Sequence, residues 1–113
     1  MSDRTLISVE RQVDRIIIHL QLDRLDETNI DAVRKSVEDA ANEAPQLTVI
    51  LDMAKIGFLA SLSLGEFVGL LQQFKDRGQR LGLANLQPSI RQVFAVTRLD
   101  KMFEIRNDFY SPP

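Results

Sequence analysis

The 113-residue chain predicts a single α/β domain: a mixed β-sheet of four to five strands with helices packed against it. Three observations carry that prediction. Segments of strand character alternate with segments of helical period, which implies parallel strands joined by crossover helices. Two strand-like segments stand side by side at the start, so a hairpin opens the sheet and makes it mixed. The length suits one domain with its own core, and 44% apolar with 27% charged residues is an ordinary globular balance.

The elements follow in order. Thr5 to Arg11 alternates Leu6 and Ser8 on one face with Ile7 and Val9 on the other. Val13 to Leu22 contains Ile16, Ile17 and Ile18, a β-branched run suited to a strand covered on both faces. A turn around Gln12 to Arg15 joins the two. After Asp23-Arg24-Leu25-Asp26 the period changes. Ile30, Val33, Val37, Ala40, Ala41 and Ala44 recur at three- and four-residue steps, the pattern of an amphipathic helix. Thr28, followed by Asp31, is placed to cap it, and Pro45 stops it.

Leu47 to Met53, nearly all apolar, reads as the central strand. A second helix runs from about Leu62 to Arg77, with Leu64, Phe67, Val68, Leu71 and Phe74 on one stripe and Gly78 as its C-terminal cap. Leu62 and Leu70 lie off that stripe and extend the apolar surface toward solvent. Arg80 to Asn85 is a further strand, and Pro88 opens a third helix with Ile90, Val93, Phe94 and Thr97 inward. Leu99 to Ile105 forms a turn and a last apolar segment. The ordered core spans about 4–106, and 107–113 is expected to be a tail.

Composition removes several functions. The formal net charge is −2 and the basic residues are scattered, so direct nucleic-acid binding is not expected. With no cysteine, thiolate chemistry and cysteine-ligated zinc are excluded. No stretch reaches the roughly 20 apolar residues of a membrane span, and the N-terminus is charged where a signal peptide needs an apolar run. A cytoplasmic protein without membrane insertion is expected. The single histidine, His19, makes no metal site by itself. No phosphate-binding Gly-rich loop with Lys-Ser/Thr exists, and no nucleophile-elbow context surrounds a serine. Neither an enzyme nor a cofactor is expected.

The richest stretch is Val49 to Gly65. An apolar strand ends at Asp52, a turn carries Gly57 and Phe58, and Ser61 and Ser63 open a helix. Unpaired amides and the helix dipole make that position favourable for a phosphate on a hydroxyl. The same serines have a purely structural reading. Ser63 with Glu66 three residues on is a capping box, and Ser61 then serves as a turn residue. Asp26 and Asp52 form an acidic patch with Ser61, or act simply as a helix-start and a strand-end residue.

Taken together, these segments resemble the STAS domains, whose best-known members are bacterial anti-sigma factor antagonists. The resemblance covers nearly the whole chain. The Gly-x-Leu-Asp turn of the family is Asp23-Arg24-Leu25-Asp26 here, with Asp23 in the glycine's place. The strand-end aspartate and the turn phenylalanine are matched by Asp52 and Phe58. The Asp-Ser-Ser/Thr-Gly-Leu-Gly signature is matched by Ala60-Ser61-Leu62-Ser63-Leu64-Gly65. Ser61 keeps the phospho-acceptor position, while Ala60 replaces the aspartate and Ser63 a glycine.

The resemblance implies binding to an anti-sigma factor that is also a serine kinase of the histidine-kinase-like ATPase type, with phosphorylation of Ser61 as the switch. Asp26, Asp52, Phe58, Ala60, Ser61, Leu62 and Ser63 would form the partner surface. The alternatives are an unphosphorylated STAS scaffold within a transport or signalling complex, favoured by Ala60 and Ser63, and a small-molecule or nucleotide sensor. A homodimer through an edge strand or apolar helix face stays open.

Overall fold

The computed structural model describes residues 6–106. Along the chain run β1 (Ile7–Arg11), β2 (Arg15–Leu20), β3 (Arg24–Leu25), α1 (Ile30–Asn42), β4 (Thr48–Asp52), β5 (Phe58–Leu59), α2 (Ser61–Asp76), β6 (Leu81–Ala84), α3 (Pro88–Val96), a 3-10 turn (Leu99–Lys101) and β7 (Glu104–Arg106). Five strands form one sheet in the order β1-β2-β4-β6-β7. The first pair is antiparallel and the remaining three pairs are parallel, as a hairpin followed by crossovers requires. This is the predicted mixed α/β domain with three helices. Thr5 and the expected tail at 107–113 lie outside the described residues.

Strand alternation divides the sheet into two faces. Ile16, Ile18, Val49, Leu51, Leu81 and Leu83 meet the helices in one core with Val33, Val37, Phe67, Phe74, Ile90 and Phe94. Phe103 closes it, packing edge-on against Phe94 at 5.8 Å and Phe67 at 6.5 Å. On the opposite face Ile17, Ile50 and Ala84 form a second, smaller buried cluster. The central strands are therefore covered on both sides, as their continuous apolar runs indicate.

Gly78 ends α2 at φ +72°. Gln79 donates its amide to Phe74 O (2.9 Å) across it, a Schellman-type closure that suits glycine. The buried Gln79 side chain then latches the end of α2 to the loop between α1 and β4, donating to Ala44 O (3.0 Å) and Leu47 O (2.8 Å).

Four local expectations change, the first being Thr97: expected inward, it is exposed at the end of α3 and donates its hydroxyl to Val93 O (2.7 Å). Asn29, not Thr28, stands before the first turn of α1, and its side chain makes no cap. Its amide is taken by Arg24 O (2.9 Å) and its carbonyl by the Asp26 amide (3.0 Å), while Thr28 bonds back to Asp26. The loop thus organises itself before the helix begins. Leu70 is buried at 2% exposure. The buried residues of α2 are Ser63, Phe67, Leu70, Leu71 and Phe74, so its inner stripe is rotated relative to the expected one. That rotation also undoes the capping box, as described below.

Candidate functional site

The chains leaving β2 and β4 run side by side to the start of α2. β3 and β5 pair in parallel, with Arg24 beside Phe58 and Leu25 beside Leu59. Asp23 O accepts from the Gly57 amide (2.8 Å) and Leu25 O from the Ala60 amide (2.9 Å). Two-residue strands are too short to show a period, so sequence analysis missed this small sheet. Its only trace was a pair of isolated leucines, Leu25 and Leu59, both buried.

Ser61 is the first residue of α2 and is exposed. Ala60 precedes it in an extended conformation (φ −70°, ψ 154°) and offers no side-chain cap. Ser63 is fully buried and its hydroxyl has no hydrogen-bond partner. The expected Ser63–Glu66 capping box does not form. The helix begins three residues too early for it, which puts Ser63 in the third helical position, one turn before core residue Phe67. Glu66 turns instead to Arg34 Nη1 at 2.8 Å, an ion pair whose angle falls outside hydrogen-bond geometry.

Apolar groups flank Ser61 on the surface: Phe58 is 48% exposed and Leu62 53%. The Arg24 guanidinium covers the Phe58 ring at 4.8 Å and joins Asp26 through Nε at 3.0 Å. Asp26 also accepts from the Thr28 hydroxyl (2.5 Å) and amide (2.9 Å). The Thr28 hydroxyl first, then its amide and Arg24, hold the Asp26 carboxyl below its ordinary range.

Asp52 lies in a different setting. It is 8% exposed, on the sheet face of Ile17 and Ile50. Its Oδ2 meets His19 Nδ1 at 2.6 Å, and Oδ1 accepts from the Ala54 amide (3.1 Å) and Asn85 Nδ2 (3.0 Å). His19 Nε2 in turn meets Glu10 Oε1 at 3.1 Å. Hydrogen bonds from Gln12, then His19, lower the Glu10 carboxyl below its usual value. Asn85, which sequence analysis did not single out, holds a left-handed conformation (φ 62°). None of the partners of Asp52 comes from β5 or α2. Asp26 stands in the β3–α1 loop, opposite Ala60 in the register of the small sheet, and Asp52 belongs to a separate polar cluster.

Among the described residues no group of three or more His, Cys, Asp or Glu is placed to hold a metal ion. No helix among them is long and apolar enough to cross a membrane.

The arrangement defines a class: a mixed α/β domain that presents a hydroxyl and exposed apolar groups where one helix begins. The chain belongs to the STAS domain family, whose model matches residues 7–111. Its fold is similar to that of TM1081 from Thermotoga maritima (21% identity, 91% of this chain and 87% of that one covered, TM-score 0.76). An anti-sigma factor antagonist from Mycobacterium paratuberculosis is similar at 16% identity, with 91% and 86% covered and a TM-score of 0.77. The anti-sigma factor antagonist SpoIIAA of Bacillus, in its unphosphorylated form, shares 20% identity, with 90% and 89% covered and a TM-score of 0.70.

Proposed function

We propose that this chain is an anti-sigma factor antagonist-like regulator of the cytoplasm, acting by protein binding and switched by phosphorylation of Ser61. Its partner is an anti-sigma factor that is also a serine kinase of the histidine-kinase-like ATPase type. The observation that carries the reading is the exposed Ser61 hydroxyl at the start of α2, between exposed Phe58 and Leu62, in a STAS chain. The partner supplies ATP and catalysis, and this chain supplies no enzymatic group. The Ser61 oxygen forms a bond to the γ-phosphorus as the bond to ADP breaks, and the hydroxyl proton passes to a base of the kinase partner. The product carries roughly −1.5 to −2 extra charge and three acceptor oxygens within the docking surface. Charge repulsion and desolvation across the interface then release the partner.

Incubation with the cognate kinase and ATP, followed by mass spectrometry, tests the switch. Phosphate on Ser61 and weakened binding of Ser61→Asp are expected; no modification together with unchanged Ser61→Asp affinity sinks it.

Ala60, which brings no carboxylate to the acceptor, favours a second reading: an unphosphorylated scaffold in a transport or signalling complex. Co-purification with a transporter ATPase or sensor, in place of a sigma-regulating kinase, separates the two.

A further inference from the structure

Resting on the reading of Ser61 as a phospho-acceptor, we propose that Arg24 is the internal partner of the phosphorylated side chain. Once Ser61 carries a phosphoryl group, the guanidinium leaves the Phe58 ring and pairs with it.

The register of the small sheet makes the pairing accessible. Arg24 lies beside Phe58 and Leu25 beside Leu59, and the Ala60 amide continues the ladder to Leu25 O. Asp26 therefore falls beside Ala60. Side chains alternate along a strand, so Arg24, Phe58, Asp26 and Ala60 share the outer side while Leu25 and Leu59 turn inward. The Nε contact to Asp26 shows that the Arg24 side chain runs forward along β3, to the level of Ala60. Ser61 is the next residue, the first of α2.

The cation is also only partly committed. Its contacts are one Nε bond to Asp26 and the face of Phe58, so both terminal nitrogens keep their donors open among the described residues. The side chain is 57% exposed, where an ion pair and a ring contact hold it only weakly. A phosphoserine dianion offers three acceptor oxygens that the planar two-pronged guanidinium matches. Ala60 matters for the same reason. The family's aspartate at this position would place a second carboxylate on the shared outer side, competing for the guanidinium and repelling the phosphate. With a methyl group there, Asp26 is the one carboxylate that Arg24 meets among the described residues. Phosphorylation would then both add charge and uncover the Phe58 ring.

The test needs no kinase. The full chain is made with phosphoserine installed at position 61 during translation, and the phosphate is titrated by phosphorus NMR. In an otherwise unaltered chain the phosphate is expected to titrate about half a pH unit lower than in Arg24→Gln, threefold in proton affinity. Arg24→Lys, which keeps the charge, retains a lowered midpoint. Coincident midpoints in the unaltered chain and Arg24→Gln, with both folded by circular dichroism, overturn the proposal. A kinase that fails to modify Ser61 would sink the regulatory reading and leave this titration unchanged.

Discussion

His19 and Asp52 are neighbours in the β2–β4 register, and their side chains meet at 2.6 Å on the sheet face away from the main core. Through Glu10 and Asn85 this pair ties β1, β2, β4 and the chain after β6 into one polar cluster. Asp52 sits at the centre of these contacts, bonded to His19, the Ala54 amide and Asn85. Replacing it with alanine strands the Asn85 amide, the Ala54 N–H and a histidine nitrogen in a poorly hydrated place. Asp52→Ala is expected to cost about 2 kcal/mol in urea unfolding.

Asp26 gives the fold a measurable acid dependence. Its folded carboxyl titrates below the ordinary 3.8, so its stabilising effect is complete above that value and is lost as pH falls through the lower folded value. In thermal melts between about pH 6 and pH 2, the unaltered chain should exceed Asp26→Asn at the upper end and converge on it at the lower end. A constant difference would show that the carboxylate charge does not contribute.

The unpartnered hydroxyl of Ser63 is a stored cost. Ser63→Ala removes a buried polar atom and improves helix propensity, so it should stabilise the chain by about 1 kcal/mol by denaturant titration.

Arg98 adopts φ 63°, a left-handed conformation between α3 and the 3-10 turn. Arg98→Gly should raise stability by about 1 kcal/mol, while Arg98→Val should lower it by at least that much.

Leu62 tests the proposed docking surface without touching the core. Leu62→Gln should leave unfolding within about 0.5 kcal/mol of the parent. It should also weaken binding to the proposed kinase partner about tenfold by calorimetry, as expected when an exposed apolar anchor is lost.

Much of the architecture was legible in the residues. The Ile16–Ile18 and Val49–Leu51 runs marked strands buried on both faces, and Pro88 and Gly78 marked one helix start and one helix end. Helix rotation was not legible for α2. Leu64, Val68 and Leu70 are all apolar, so periodicity alone left the inner stripe ambiguous, and packing against α1 and Phe103 selected Ser63, Phe67, Leu70 and Phe74. Capping was equally ambiguous, since Ser61 and Ser63 both suit a helix start.

By itself, then, the amino-acid order determined the class of fold, the succession of elements and the serine that opens α2, because hydrophobic period and helix punctuation are local properties. Only the tertiary structure decided which residues meet. It joined His19 to Asp52 and set Arg24 beside Phe58, three residues before Ser61. Those pairings depend on strand register across 33 or 34 positions of chain, and no local pattern encodes a register that long-range packing alone selects.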